Sequence, residues 1–142
     1  MRAVRGRLQL KTARSGAWIV DDSYNANPSS VRAGIEVLAQ LEGRRWLVLG
    51  DMAELGEFAA AAHVEAGEYA RAQGVERLFA TGPLAALAAK SFGAGGEWFA
   101  DTGSLTQALE EAAGADVRML IKGSRFNKLE RVVDALMQEK EG

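Results

Sequence analysis

Five times along this chain a short apolar run ends in small or polar residues and gives way to an amphipathic helical pattern. The runs are Ala17 to Val20, Trp46 to Leu49, Arg77 to Ala80, Glu97 to Ala100 and Val117 to Ile121. Each is too short for a helix and rich in Val, Ile, Leu, Trp or Phe, the composition of a buried strand. A strand, a crossover helix and a second parallel strand form a right-handed unit that packs back on its own sheet. The repeat therefore predicts an α/β, Rossmann-like, mostly parallel sheet with helices on both faces. Ahead of the first run, Arg7 to Lys11 alternates polar and apolar residues, and Arg14-Ser15-Gly16 offers a turn. Together they predict a short N-terminal hairpin strand against the first buried run.

The helices between the runs are marked at their ends. Asn27 is placed to cap the first and Pro28 to open it, with Val31, Ile35 and Leu38 on one face. The second is expected from Phe58 to Gln73 with Gly74 as its stop, and the third from Pro83 to about Gly93. The fourth is expected to be capped by Thr102 or Ser104 and to stop at Gly114. The last carries Leu129, Val132, Val133 and Leu136, with Ser124 as its candidate cap.

Composition narrows the function classes. With 48% hydrophobic and 25% charged residues in 142, the chain builds a core and reads as one domain over 1–142, residues 1–16 forming a lead-in. A net charge of -2 supplies no general attraction to nucleic acid. No apolar run approaches the roughly 20 residues that span a bilayer, so no membrane partner is expected. The absence of cysteine agrees with a reducing compartment, and the expected location is cytoplasmic.

In an open α/β sheet, ligands bind outside the carboxyl ends of the strands. Those ends here are Asp21 to Asn27, Gly50-Asp51-Met52, Thr81-Gly82, Asp101-Thr102-Gly103 and Lys122-Gly123-Ser124-Arg125. In the first, Asp22 is an acceptor for ribose hydroxyls or a partner for a cation, Tyr24 offers a ring and a hydroxyl, and Asn25 and Asn27 offer amides. An Asx turn with Asn27 as a plain cap explains only part of that set. In the last, Lys122 and Arg125 suit phosphate or carboxylate, and Gly123 lets a ligand approach the backbone. A surface turn with solvated cations is the competing reading. Asp51 and Glu54 lie where a magnesium site is conceivable, but loop and helix-start carboxylates are commoner. His63, the single histidine, reads as a packed or surface residue rather than a base. No phosphate loop, dinucleotide-binding glycine motif, Ser-His-Asp order or zinc spacing occurs in the sequence.

Four pieces, in order, resemble the C-terminal domain of the Mur ligase family. They are Gly6-Arg7, Asp21-Asp-Ser-Tyr-Asn-Ala-Asn-Pro28, Gly50-Asp-Met-Ala-Glu-Leu-Gly56 with His63 beyond it, and Leu120-Ile-Lys-Gly-Ser-Arg125. The second string is specific to the branch that joins D-Ala-D-Ala to UDP-N-acetylmuramoyl-tripeptide. The resemblance implies a Rossmann-like fold and ATP-dependent amide formation through an acyl phosphate. It also implies two further domains, an N-terminal one for the UDP-sugar and a central one holding ATP and Mg2+, both lacking from these 142 residues. By motif matching, Asp22, Tyr24, Asn25 and Asn27 would serve the nucleotide and interdomain side. Lys122, Ser124 and Arg125 would face the acyl phosphate or D-Ala-D-Ala. No catalytic base and no metal ligand is assignable, and the chain alone is expected to be inactive. Two alternatives stay open: a stand-alone nucleotide or amino-acid binding module, and the last domain of a folylpolyglutamate- or cyanophycin-type ligase.

Overall fold

A computed structural model describes residues 9–23, 26–124 and 127–137. Its strands are β1 (Gln9–Thr12), β2 (Trp18–Asp22), β3 (Arg44–Leu49), β4 (Arg77–Thr81), β5 (Gly96–Phe99) and β6 (Val117–Lys122). Its helices are α1 (Pro28–Ala39), α2 (Ala59–Ala72), α3 (Ala85–Phe92), α4 (Thr102–Ala112) and α5 (Glu130–Met137), and a 3-10 turn, Gly56–Phe58, leads into α2. One sheet holds all six strands in the order β1-β2-β6-β3-β4-β5. Every pairing is parallel except that of β1 with β2. The expected α/β architecture and the N-terminal hairpin are both present. Arg7 lies outside the described residues; the hairpin turn is closed by Ala13 N–H to Ala17 O at 2.8 Å, with Gly16 at φ 93°.

Side-chain alternation along the strands separates two cores. Val20, Leu47, Leu49, Leu78, Ala80 and Leu120 point to α1, α2 and α3 and pack there against Ile35, Leu38, Ala70 and Phe92. Ile19, Trp46, Val48, Phe79, Met119 and Ile121 point the other way, against α4 and α5 through Leu105, Leu109, Val132 and Val133. Strands covered on both faces need apolar residues at nearly every position, which is why these runs lack the polar alternation of β1.

Several helix ends differ from the sequence expectation, each for a local reason. α4 is capped by Asp101, whose carboxylate accepts Ser104 N–H at 2.7 Å, and not by Thr102 or Ser104. α3 begins at Ala85 rather than Pro83, because the carboxylate of Asp51, distant in sequence, receives the N–H groups of Leu84 and Ala85. Ser124 does not cap α5, which starts at Glu130 after a turn at Asn127; the Ser124 hydroxyl is committed elsewhere. Gly74 and Gly93 do occupy left-handed stops, with φ 88° and 86°.

α2 and α3 approach closely at Gly67, which is buried; a Cβ there would fall inside van der Waals contact of both Ser91 Oγ and the Ala88 carbonyl. The Ala88 clash is with backbone and cannot be relieved by a rotamer change. Gly67→Ala is expected to destabilise the chain by about 1–3 kcal/mol, the usual cost of overpacking. The check is the urea midpoint, which should fall with an unchanged m-value.

Candidate functional site

Because β2 to β6 are mutually parallel, their carboxyl ends share one edge, and the five loop tips expected to hold ligand lie along it. At one end of that parallel edge lies the β2–β6 pair. Asp22 and Lys122 are register partners, so their side chains leave the same face of adjacent strands. Lys122 Nζ donates to Asp22 Oδ2 and, at 3.0 Å, to Ser30 Oγ on α1. The Lys122 side chain has no exposed surface, whereas Asp22 keeps 11% of its side-chain surface. Among the described residues no donor reaches the second oxygen, Asp22 Oδ1. Asp21, pointing to the other face, pairs with Lys11 of β1 at 2.7 Å and accepts Ser23 N–H at 3.0 Å. The two successive carboxylates therefore have separate cations and separate tasks.

Asn27 caps α1 as expected: Oδ1 accepts Ser30 N–H at 2.8 Å, and Ser30 Oγ accepts Asn27 N–H at 3.1 Å, a reciprocal capping box. Tyr24, Asn25 and Arg125 lie outside the described residues. Of the second group of candidates, Lys122 is turned inward, and Ser124 is buried with Oγ donating to Asp51 O at 2.8 Å. Both shape the rim from beneath.

The next tips are engaged by the fold itself. Asp51 Oδ1 accepts Leu84 N–H at 3.1 Å and Ala85 N–H at 2.7 Å, so this carboxylate holds the start of α3. Among the described residues no cluster of three or more His, Cys, Asp or Glu suits a metal ion. His63 is wholly buried: Nε2 accepts Met52 N–H at 2.9 Å, which leaves Nδ1 to donate to Ala59 O at 2.7 Å. It pins the loop after β3 to α2, the packed role rather than the catalytic one. Thr81 Oγ1 donates to Phe99 O at 2.9 Å, closing the β4 tip against β5.

Three residues that build this rim were not anticipated. Ser30 joins the capping box to Lys122; the Asn-x-x-Ser spacing from Asn27 was its signal. Asn127 Oδ1 accepts Ser124 N–H at 2.7 Å and sits 2.5 Å from where a Cβ on Gly50 would be, so Gly50 makes room for it. Gly34 lies over Leu120 and Lys122: an added Cβ would come 2.9 Å from Leu120 Cδ2 and 3.6 Å from Lys122 Cδ. A glycine in the middle of a helix was the visible sign of that close approach.

Burial pushes the Lys122 ammonium below its ordinary pKa of 10.5, opposed by the hydrogen bond and charge of Asp22. The folded state then holds this proton less tightly than the unfolded chain. Between the lowered folded value and 10.5 the unfolded state binds more protons, so this group's contribution to stability rises with pH through that window.

The chain belongs to the C-terminal domain family of the Mur ligases: residues 6–125 match the Mur ligase, glutamate ligase domain. Among its relatives is the UDP-N-acetylmuramoyl-tripeptide–D-alanyl-D-alanine ligase of Escherichia coli K12, 40% identical over 140 residues that make up 97% of this chain and 31% of that enzyme. The enzyme of the same name from Mycobacterium bovis is 37% identical over 160 aligned positions, covering 95% of this chain and 31% of its own length. Among solved structures, MurF from Acinetobacter baumannii superposes with a TM-score of 0.83 at 28% identity, over 97% of this chain and 32% of that one. MurF from Thermotoga maritima, in complex with ADP, gives 0.83 at 27% identity, over 96% and 31%. Escherichia coli FolC, at 0.61 and 19% identity, shares the fold and is more distant. The chain thus spans about a third of the length of these relatives.

Two outcomes follow from this geometry. Asp51→Ala strands two N–H groups at the start of α3 and is expected to cost about 1–3 kcal/mol in urea unfolding. For Lys122→Met, the stability difference from the unsubstituted chain should shift in favour of the latter as pH climbs toward 10.5, measured as urea midpoints across an alkaline series. A difference independent of pH would mean that Lys122 titrates no differently folded and unfolded.

Proposed function

We propose that this chain is the C-terminal domain of an ATP-dependent amide ligase that joins D-Ala-D-Ala to UDP-N-acetylmuramoyl-tripeptide in peptidoglycan precursor synthesis. The observation that carries the reading is the rim. Five loop tips share one edge, and at its β2–β6 end a carboxylate is clamped through one oxygen by a buried ammonium, its other oxygen meeting no donor among the described residues. The relatives named above supply the reaction and its substrates.

In the proposed reaction ATP phosphorylates the terminal carboxylate of the tripeptide. The amine of D-Ala-D-Ala attacks the acyl phosphate, an amide bond forms and inorganic phosphate leaves. The described residues do not suit the metal: Asp51 is engaged by two backbone N–H groups, and no cluster of metal-binding side chains stands in for it. ATP phosphates and Mg2+ belong, in this reading, to a central domain and the UDP-sugar to an N-terminal one. This chain contributes a wall that closes over them, positions reactants and excludes water. Asp22 and Asn27, with Tyr24 and Asn25, serve the nucleotide and interdomain side. Asp22 Oδ1 is the acceptor offered to a ligand hydroxyl. Lys122 and Ser124 support the substrate side from within, and Arg125 is the candidate for contact with the acyl phosphate or the dipeptide carboxylate. The reading places the protein in the cytoplasm, where ATP is supplied.

The isolated chain is expected to show no ATP-dependent ligation and only weak binding of ATP, D-Ala-D-Ala or the UDP-sugar, because half a site leaves most of the binding cost uncompensated. Placed in one polypeptide with the two missing domains, it should support ligation, and Asp22→Ala should then raise the KM for ATP or lower kcat without unfolding the domain. Calorimetry on the chain and a phosphate-release assay on the full-length protein check these outcomes. Tight binding by the chain alone would favour a stand-alone binding module instead.

A further inference from the structure

The Ser30 hydroxyl is a saturated junction. It accepts from Asn27 N–H at 3.1 Å and from Lys122 Nζ at 3.0 Å, and donates to Asn27 O at 3.2 Å. A hydroxyl has one donor and two acceptor positions, and all three are used. On one side of it lies the capping box of α1; on the other lies the ammonium that holds Asp22, 100 residues from Lys122 in the chain. Gly34, one turn further along α1, brings that helix down over Lys122, since a Cβ there would crowd Leu120 Cδ2 at 2.9 Å. The Lys122 stem thus runs under α1 toward the helix's own N-terminus, and the ammonium meets α1 and β2 together.

Capping alone does not require this arrangement. Asn27 satisfies the helix N-terminus through Ser30 N–H whether or not the hydroxyl also meets a lysine. What the extra bond fixes is direction. It holds Nζ between β2 and α1, so the Asp22 carboxylate is held through Oδ2, with Oδ1 meeting no donor among the described residues. An ammonium is a compact charge with rotatable donors, and without a second anchor it would hold its carboxylate in many orientations.

We infer that Ser30 is a positioning residue for nucleotide binding: through Lys122 it orients the Asp22 carboxylate relative to the N-terminus of α1. This rests on the reading of the rim as one wall of an ATP site. Ser30 touches no ligand itself; it acts on affinity through the carboxylate.

The test uses the full-length protein that carries this domain, with Ser30→Ala to remove the junction and Ser30→Thr to keep it. KM is the chosen readout because, unlike kcat, it does not depend on how much of the enzyme is folded. For Ser30→Ala the KM for ATP should rise about tenfold, equivalent to about 1.4 kcal/mol. The KM for D-Ala-D-Ala and kcat should stay within about twofold, the pattern expected when nucleotide binding is lost equally from the ground and transition states. Ser30→Thr should restore the KM for ATP. An unchanged KM for ATP in Ser30→Ala, or equal shifts in both variants, would overturn the inference while leaving the ligase reading intact. Absence of ATP-dependent ligation by the unsubstituted protein would overturn that reading and this inference with it.

Discussion

An ammonium with no exposed surface sits at the carboxyl edge of the sheet, between a carboxylate on the neighbouring strand and a hydroxyl at the start of the first helix. Burying a charge is costly unless it is paired and hydrogen-bonded. Here Asp22 offsets part of the cost, and burial still pulls the Lys122 pKa down. Such a pair is weak evidence for stability, and its value lies in geometry. It joins the end of β6 to the end of β2 and the N-terminus of α1, two consecutive elements that the chain forms long before β6. The register of β2 against β6 and the close approach allowed by Gly34 are the conditions for it.

Along the edge from that pair the rim divides its polar groups by task. Asp51, Thr81, Asp101 and His63 satisfy backbone groups of neighbouring elements: the start of α3, the β5 carbonyl, the start of α4 and the loop after β3. These contacts brace the edge from within the fold. Asp22, held by a side-chain cation through Oδ2, keeps Oδ1 without a partner among the described residues. A ligand edge of this kind is built mainly from groups that hold one another, with few left to face outward. The same economy explains why a tip rich in polar residues is a poor guide to which of them bind.

The layered fold was legible because its signal is local: short apolar runs, glycine stops and Asn27-Pro28 are each read within a few residues. The five strand ends, and hence the shared edge, followed from the connection rule alone. The side-chain roles were less legible because they depend on partners distant in sequence. Nothing near Lys122 shows that its ammonium will meet Ser30, 92 residues away, rather than solvent or phosphate. Asp51 reads as a possible metal ligand until α3 is brought to it from 34 residues further on. The cap of α4 was misplaced by one to three residues because Asp101, Thr102 and Ser104 are all competent caps and only the backbone conformation selects among them.

The central claim is that Asp22 and Lys122 act as one unit. A double-mutant cycle on the chain tests it most directly, with urea unfolding free energies for the unsubstituted protein, Asp22→Asn, Lys122→Met and the pair. The account predicts that the double variant loses less stability than the two single losses added, by at least about 1 kcal/mol, as for residues sharing one hydrogen-bonded network. Single losses that add within about 0.5 kcal/mol, the behaviour of independent sites, would contradict it.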